Sequence, residues 1–199
     1  MSPRMSTANF ITLSRLPLLG LVALLLYAPG GPAAWTALAL LPVLYLMDWF
    51  DGYWARQKDQ VSDLGSVLDI AIDRVVENVL WIVFAHQQRV PVWVPILFIT
   101  RSFVVDGLRG YALAKGHSAF GMMRSPAGRF LVAGRFMRGL YGLAKGLAFG
   151  ALALEAALTG VGHPYAWLDA ATRLLVYFSV GLCVLRGVPV LLDIRALMD

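Results

Sequence analysis

The chain has 199 residues, of which 59% are hydrophobic and 15% charged, and its mean hydropathy is +0.69. A soluble domain carries about a quarter charged residues and under half apolar ones, so the composition excludes an ordinary soluble domain, and it is too apolar for a disordered chain. The net charge is +5 and the pI about 9.7; in a membrane protein this reflects orientation and anionic lipid, so no nucleic-acid partner is expected.

Apolar stretches of about 18 residues or more recur along the chain. They predict an all-α polytopic membrane protein, one domain over residues 1–199, with six transmembrane helices in a single bundle. The expected spans are Ile11–Tyr27, Pro32–Trp54, Leu64–Ala85, Val92–Leu113, Phe130–Leu158 and Tyr165–Leu192. Turn chemistry separates them at Pro29-Gly30-Gly31-Pro32, Gln57 to Gln60, Gln87 to Pro91, Lys115 to Pro126 and Gly160 to Pro164. Arg4, the first apolar run and the small residues Ala28 to Ala34 resemble a secretion signal. More spans follow, so the first is expected to stay as an anchor.

Arg4, Arg56, Lys58, Lys115, Arg124, Arg129 and Arg195 collect on one side, and the opposite loops hold only Arg89. The positive-inside rule then places both termini in the cytoplasm, as in a bacterial inner-membrane protein. Trp35, Trp54, Trp81, Trp93 and Trp167 read as interfacial anchors, and Gly142, Gly146 and Gly150 as a series that allows close helix packing. Cys183 stands alone, which excludes an internal disulfide, and His86, His117 and His163 lack zinc-ligand spacing.

The acids are concentrated. Seven of the 12 fall in the 30 residues from Asp48 to Glu77. A membrane protein keeps charges in or near its spans only where something requires them. Asp48 and Asp51 are three apart on span two, and Asp69 and Asp73 four apart on span three, so each pair shares a helix face. Arg101 and Arg109 on span four, and Arg135 and Arg138 on span five, fall at the same depth. This predicts a polar cavity open to the cytoplasm, with a carboxylate wall and a cationic wall; Lys145 and Arg173 fit it less well. Four converging carboxylates repel unless a cation joins them, and all-oxygen ligation favours magnesium or manganese, with room for two ions. The competing reading is a set of salt bridges to Arg56, Arg74 and the arginines of spans four and five.

The neighbours sharpen the choice. From Asp48 the sequence reads D-W-F-D-G-Y-W-A-R, then eight residues, then G-S-V-L-D-I-A-I-D. This stretch resembles the motif of the CDP-alcohol phosphatidyltransferase family, D-x-x-D-G-x-x-A-R, eight residues, G-x-x-x-D-x-x-x-D. Asp48, Asp51, Gly52, Ala55, Arg56, Gly65, Asp69 and Asp73 occupy every fixed position. Eight fixed positions match by chance on the order of 10⁻¹⁰ per start site under uniform residue usage.

The resemblance implies that Asp48, Asp51, Asp69 and Asp73 bind two divalent metals, magnesium or manganese. Gly52, Ala55, Arg56 and Gly65 would line the pocket for the CDP moiety, and Asp73 would act as general base. The implied donor is CDP-diacylglycerol, the products are a phospholipid and CMP, and the implied assembly is a homodimer in contact with membrane lipids. A basic wall suggests an acceptor that itself bears phosphate; Arg101, Arg109, Arg129, Arg135 and Arg138 are the candidates. The segment I-T-R-S-F-V-V-D-G-L-R-G, and Asn9, Thr12 and Arg15 in N-F-I-T-L-S-R, resemble the phosphatidylglycerophosphate synthases of that family. That points to sn-glycerol 3-phosphate. Those synthases continue with a G-K-x-K-T run, whereas Gly128-Arg129-Phe130-Leu131-Val132 keeps the glycine and one basic residue. Inositol phosphate remains an alternative acceptor. A structural pairing with Asp63, Glu77 or Asp106 remains an alternative role for each arginine. A cation transporter using the same aspartates is the competing class.

Overall fold

The computed structural model describes residues 7–29, 31–57, 63–114, 128–163 and 165–193. Arg4, Lys58, Lys115, His117, Arg124 and Arg195 lie outside the described residues. So do the side chains of Trp49, Asp51, Gly52, Trp54, Ala55, Arg56 and Asp63.

Among the described residues six long helices form: α1 Thr7–Tyr27, α2 Gly31–Gln57, α3 Asp63–His86, α4 Trp93–Ala114, α5 Arg135–Gly160 and α6 Ala166–Asp193. No strand occurs among the described residues. Five of the six expected spans match their helices to within a few residues. The fifth does not. A π-helical turn covers Arg129–Ala133, Gly134 leaves helical geometry at ψ 129°, and α5 starts only at Arg135. No proline announces this break. A Cβ at Gly134 would run into the Phe130 carbonyl oxygen, so the sharp turn needs glycine.

Helices α1, α2, α5 and α6 are long and apolar enough to cross a membrane, and the chain is an integral membrane protein. The other two are interrupted by charge: α3 by Asp69, Asp73, Arg74 and Glu77, α4 by Arg101, Asp106 and Arg109. Composition alone therefore marks four of the helices as spans. Prolines 17, 42 and 189 lie inside α1, α2 and α6; neighbouring helices and local adjustment make this tolerable in a membrane.

Helix α1 packs on α2 and α3, α2 on α5, α5 on α6, α6 on α4, and α3 on α4. The exterior is greasy: Leu24, Phe103 and Leu174 are each more than 70% exposed, as expected where lipid replaces water. Apolar burial drives little association in lipid, so shape and dispersion hold the interior. At its centre Trp81 is fully buried, 4.7 Å from the Phe98 ring and 4.5 Å from that of Phe149. Trp81 is thus a core residue and not an interfacial anchor; its position near the span end says nothing of the helix face it occupies. Cys183 is buried. A Cβ added at Gly142, Gly146 or Gly150 would meet nothing within 4 Å, so this series makes no close contact among the described residues.

The α1–α2, α3–α4 and α5–α6 links gather at one end. Gln87 Nε2 donates to the Leu26 carbonyl at 2.6 Å, and Arg89 pairs with Glu155 at 3.7 Å. Burial draws the Arg89 guanidinium below its usual range, opposed by Glu155. Arg173 pairs with Asp169 at 3.0 Å on the exposed first turns of α6, which accounts for its failure to join the other arginines.

Candidate active site: an acidic cluster beside a basic wall

Asp48 on α2 and Asp69 and Asp73 on α3 converge, with one carboxylate oxygen from each lying within 4.8 Å of the others. Helix spacing explains this: Asp69 and Asp73 sit one turn apart on α3, and Asp48 faces them across the bundle. Asp51 lies one turn beyond Asp48 on the same helix; its side chain is among those not described.

A cation from α1 already reaches this cluster. Arg15 donates from Nη1 to Asp48 Oδ1 at 2.7 Å and from Nη2 to Asp73 Oδ1 at 2.8 Å, and Nη1 stands 3.8 Å from Asp69 Oδ1. Its side chain is 2% exposed, whereas those of the three aspartates are 38–47% exposed. The guanidinium therefore seals the inner side of the cluster while the carboxylates stay accessible from the outer side. Three carboxylates against one guanidinium leave two negative charges in excess, all on oxygen. Such a donor set fits a hard divalent cation approaching from the accessible side. Asn9 and Thr12, buried with Arg15, recur every three residues and share its face of α1.

The sequence points to Arg56, Arg74 and the arginines of α4 and α5 as salt-bridge partners for these acids. Among the described residues the partner is instead Arg15. Arg74 turns to the other side, donating to Asp106 at 2.8 Å and to Glu77 at 3.1 Å. Glu77 is buried, takes Lys145 Nζ at 2.6 Å, and accepts from the Tyr141 hydroxyl at 3.4 Å. Arg109 lies 3.5 Å from Asp106. Lys145, which the sequence left outside the cavity, thus has a buried counter-charge. This network starts one residue after Asp73, so the acidic cluster and the basic wall adjoin.

Arg101 and Arg109 lie half-buried on α4; Arg129 in the π-helical turn, and Arg135 and Arg138 on α5, are exposed. Arg101 on α4 and Arg186 on α6 both lie against the Tyr141 ring. Arg101 passes beside Gly187, where a Cβ would stand 3.2 Å from its Cγ, and lies 5.7 Å from the Tyr141 ring. Gly65 is half-buried on α3. Sequence reasoning missed the roles of three residues. Arg15 stood out only as part of a resembling segment. Tyr141, with Lys145 at 4.2 Å and Arg186 at 5.4 Å from its ring, carried no motif. Arg186 is a lone arginine in an apolar run.

The family model for CDP-alcohol phosphatidyltransferase matches residues 5–192. A Bacillus subtilis protein named CDP-diacylglycerol--glycerol-3-phosphate 3-phosphatidyltransferase is 32% identical over 113 residues, covering 51% of this chain and 58% of its own. A Pseudomonas fluorescens protein of the same name is 29% identical over 117 residues, covering 57% and 60%. A Mycobacterium bovis protein provisionally named a cardiolipin synthase is 34% identical over 111 residues, covering 56% and 51%. The chain spans about half to three fifths of the length of these curated relatives. The motif from Asp48 to Asp73, the convergence of Asp48, Asp69 and Asp73, and a match over nearly the whole chain lead to one assignment: the chain belongs to the CDP-alcohol phosphatidyltransferase family.

Proposed function

We propose that the protein transfers a phosphatidyl group from CDP-diacylglycerol to sn-glycerol 3-phosphate and releases CMP. The observation that carries this reading is the convergence of Asp48, Asp69 and Asp73. The names of the Bacillus and Pseudomonas relatives support the donor and the acceptor. On this reading residues 1–199 act as one domain of a homodimer. All six helices span the bacterial inner membrane, and both termini and the site face the cytoplasm.

Asp48, Asp51, Asp69 and Asp73 would hold the metal. When bound, two magnesium or manganese ions supply charge neutralisation at the diphosphate and at the departing CMP. Asp73 takes the proton of the attacking hydroxyl onto a carboxylate oxygen. The hydroxyl oxygen bonds to the lipid-side phosphorus as the phosphoanhydride bond to CMP breaks. Arg15 fixes Asp48 and Asp73 relative to each other during this exchange. Gly52, Ala55 and Gly65 leave room for the nucleotide, and Arg56 offers a planar fork to its phosphates. Arg101, Arg109, Arg129, Arg135 and Arg138 hold the acceptor phosphate.

The test is CMP release by purified protein given CDP-diacylglycerol, magnesium or manganese, and one acceptor at a time. The panel holds glycerol 3-phosphate, inositol phosphate, inositol, serine and phosphatidylglycerol. Glycerol 3-phosphate is expected to give the fastest release, and no release with any acceptor overturns the reading. The Mycobacterium relative favours a second reading with cardiolipin as product, which release with phosphatidylglycerol would support.

A further inference from the structure

The break at Gly134 creates a problem for the backbone. A helix that stops leaves its last carbonyls without an intrahelical N–H partner, and in a membrane-embedded bundle the protein itself must supply one. Arg186 of α6 supplies it here. Its Nη1 donates to the Leu131 carbonyl at 2.6 Å and its Nη2 to that of Val132 at 3.3 Å. The residue is 4% exposed. The two donors of one planar fork thus cap two successive carbonyls of the π-helical turn. A guanidinium there also meets the negative end of the helix dipole.

The placement is costly for a purely structural cap. Arg186 is buried against the Tyr141 ring, which it shares with the like charge of Arg101. Arg129 stands on one side of the break it clamps, Arg135 and Arg138 on the other, and all three are exposed. The break can also be disturbed from within, since a Cβ at Gly134 would run into Phe130 O.

We propose that Arg186 is a positioning residue: by clamping the Leu131 and Val132 carbonyls it sets the angle of the broken helix, and with it the stance of Arg129, Arg135 and Arg138 toward the acceptor phosphate. This rests on the reading of the basic wall given under the proposed function. Arg186 acts through the backbone and not by touching the acceptor.

The experiment uses the full chain in lipid nanodiscs and the variants Arg186→Gln, Arg186→Lys, Gly134→Ala and the Gln/Ala double variant. CMP release is measured against each substrate in turn. Misplacing a binding group by an ångström can cost up to about 100-fold, so Arg186→Gln should raise the acceptor KM about 10-fold or more. The CDP-diacylglycerol KM should stay within about twofold. Arg186→Lys should also raise the acceptor KM, because one ammonium cannot reproduce the fork. Gly134→Ala should shift the same parameter, and the double variant should be no worse than the worse single one, since both act through one break. Amide exchange at Gly134 to Arg138 should quicken in Arg186→Gln.

A normal acceptor KM in Arg186→Lys beside a raised one in Arg186→Gln would assign the charge to the phosphate and overturn the clamp. Equal rises in both KM values would overturn it in favour of a general packing role. If Arg186→Gln fails to fold, an unchanged acceptor KM in Gly134→Ala overturns it. If the wild type accepts a different phosphorylated alcohol, the acceptor assignment fails, and the same split read on that alcohol decides the clamp.

Discussion

Arg15 on α1 donates to the Asp73 carboxylate on α3 at 2.8 Å, across 58 residues of sequence. The other arm of the same guanidinium holds Asp48 on α2 at 2.7 Å. A planar fork therefore ties together the helices that bring the acidic cluster. A lysine at this place keeps the charge but offers one head group to two carboxylates. Arg15→Lys is expected to lower kcat at least about 10-fold at saturating metal while the chain stays folded, because two carboxylates would lose their fixed spacing. Steady-state CMP release with thermal unfolding as control checks this; a kcat within twofold of wild type would remove Arg15 from the site.

The excess of negative charge around Asp48, Asp69 and Asp73 predicts strict metal dependence. Chelation with EDTA should abolish CMP release, and magnesium or manganese should restore it. Asp48→Asn should raise the metal concentration giving half-maximal activity. Full turnover in EDTA would show that Arg15 alone compensates these carboxylates.

Glu77 is the shared counter-charge of Lys145 and Arg74. Glu77→Gln leaves Lys145, a half-buried cation, without its 2.6 Å partner. Breaking a buried pair from one side costs about 3–5 kcal/mol. Unfolding in detergent should record a loss of that order, and adding Lys145→Met should recover part of it. An unchanged midpoint in the single variant would mean the network is not a stability element.

Trp81 fills the centre of the bundle between Phe98 and Phe149. Trp81→Ala should cost about 3–5 kcal/mol, the usual range for deleting a buried aromatic side chain. A Trp81→Phe variant should keep most of the stability. Equal stability of all three proteins would return Trp81 to the membrane interface.

The legible parts of this protein are those with local causes. Apolar runs bounded by turn residues announce the helices, and the spacings of Asp48 with Asp51 and of Asp69 with Asp73 announce a shared face within each pair. The break at Gly134 is not legible, because Gly128 to Arg135 contains no proline and reads as continuous with the following apolar run. What completes it is Arg186, 54 and 55 residues away. Arg15 is hidden for the same reason: nothing near it in sequence carries an acid. Trp81 misleads because nearness to a span end and orientation around the helix are separate quantities. Glu77 lies in the acidic window yet serves the basic side, a division of labour that only the bundle reveals.

Phosphatidyl transfer at the acidic cluster is tested by following both products at once. Purified protein is given CDP-diacylglycerol, glycerol 3-phosphate and magnesium, and the lipid and nucleotide products are quantified by mass spectrometry for wild type and Asp73→Asn. Wild type should give phosphatidylglycerophosphate and CMP in equal amounts, and a folded Asp73→Asn should give neither. CMP without a new lipid, or undiminished transfer by Asp73→Asn, would contradict it.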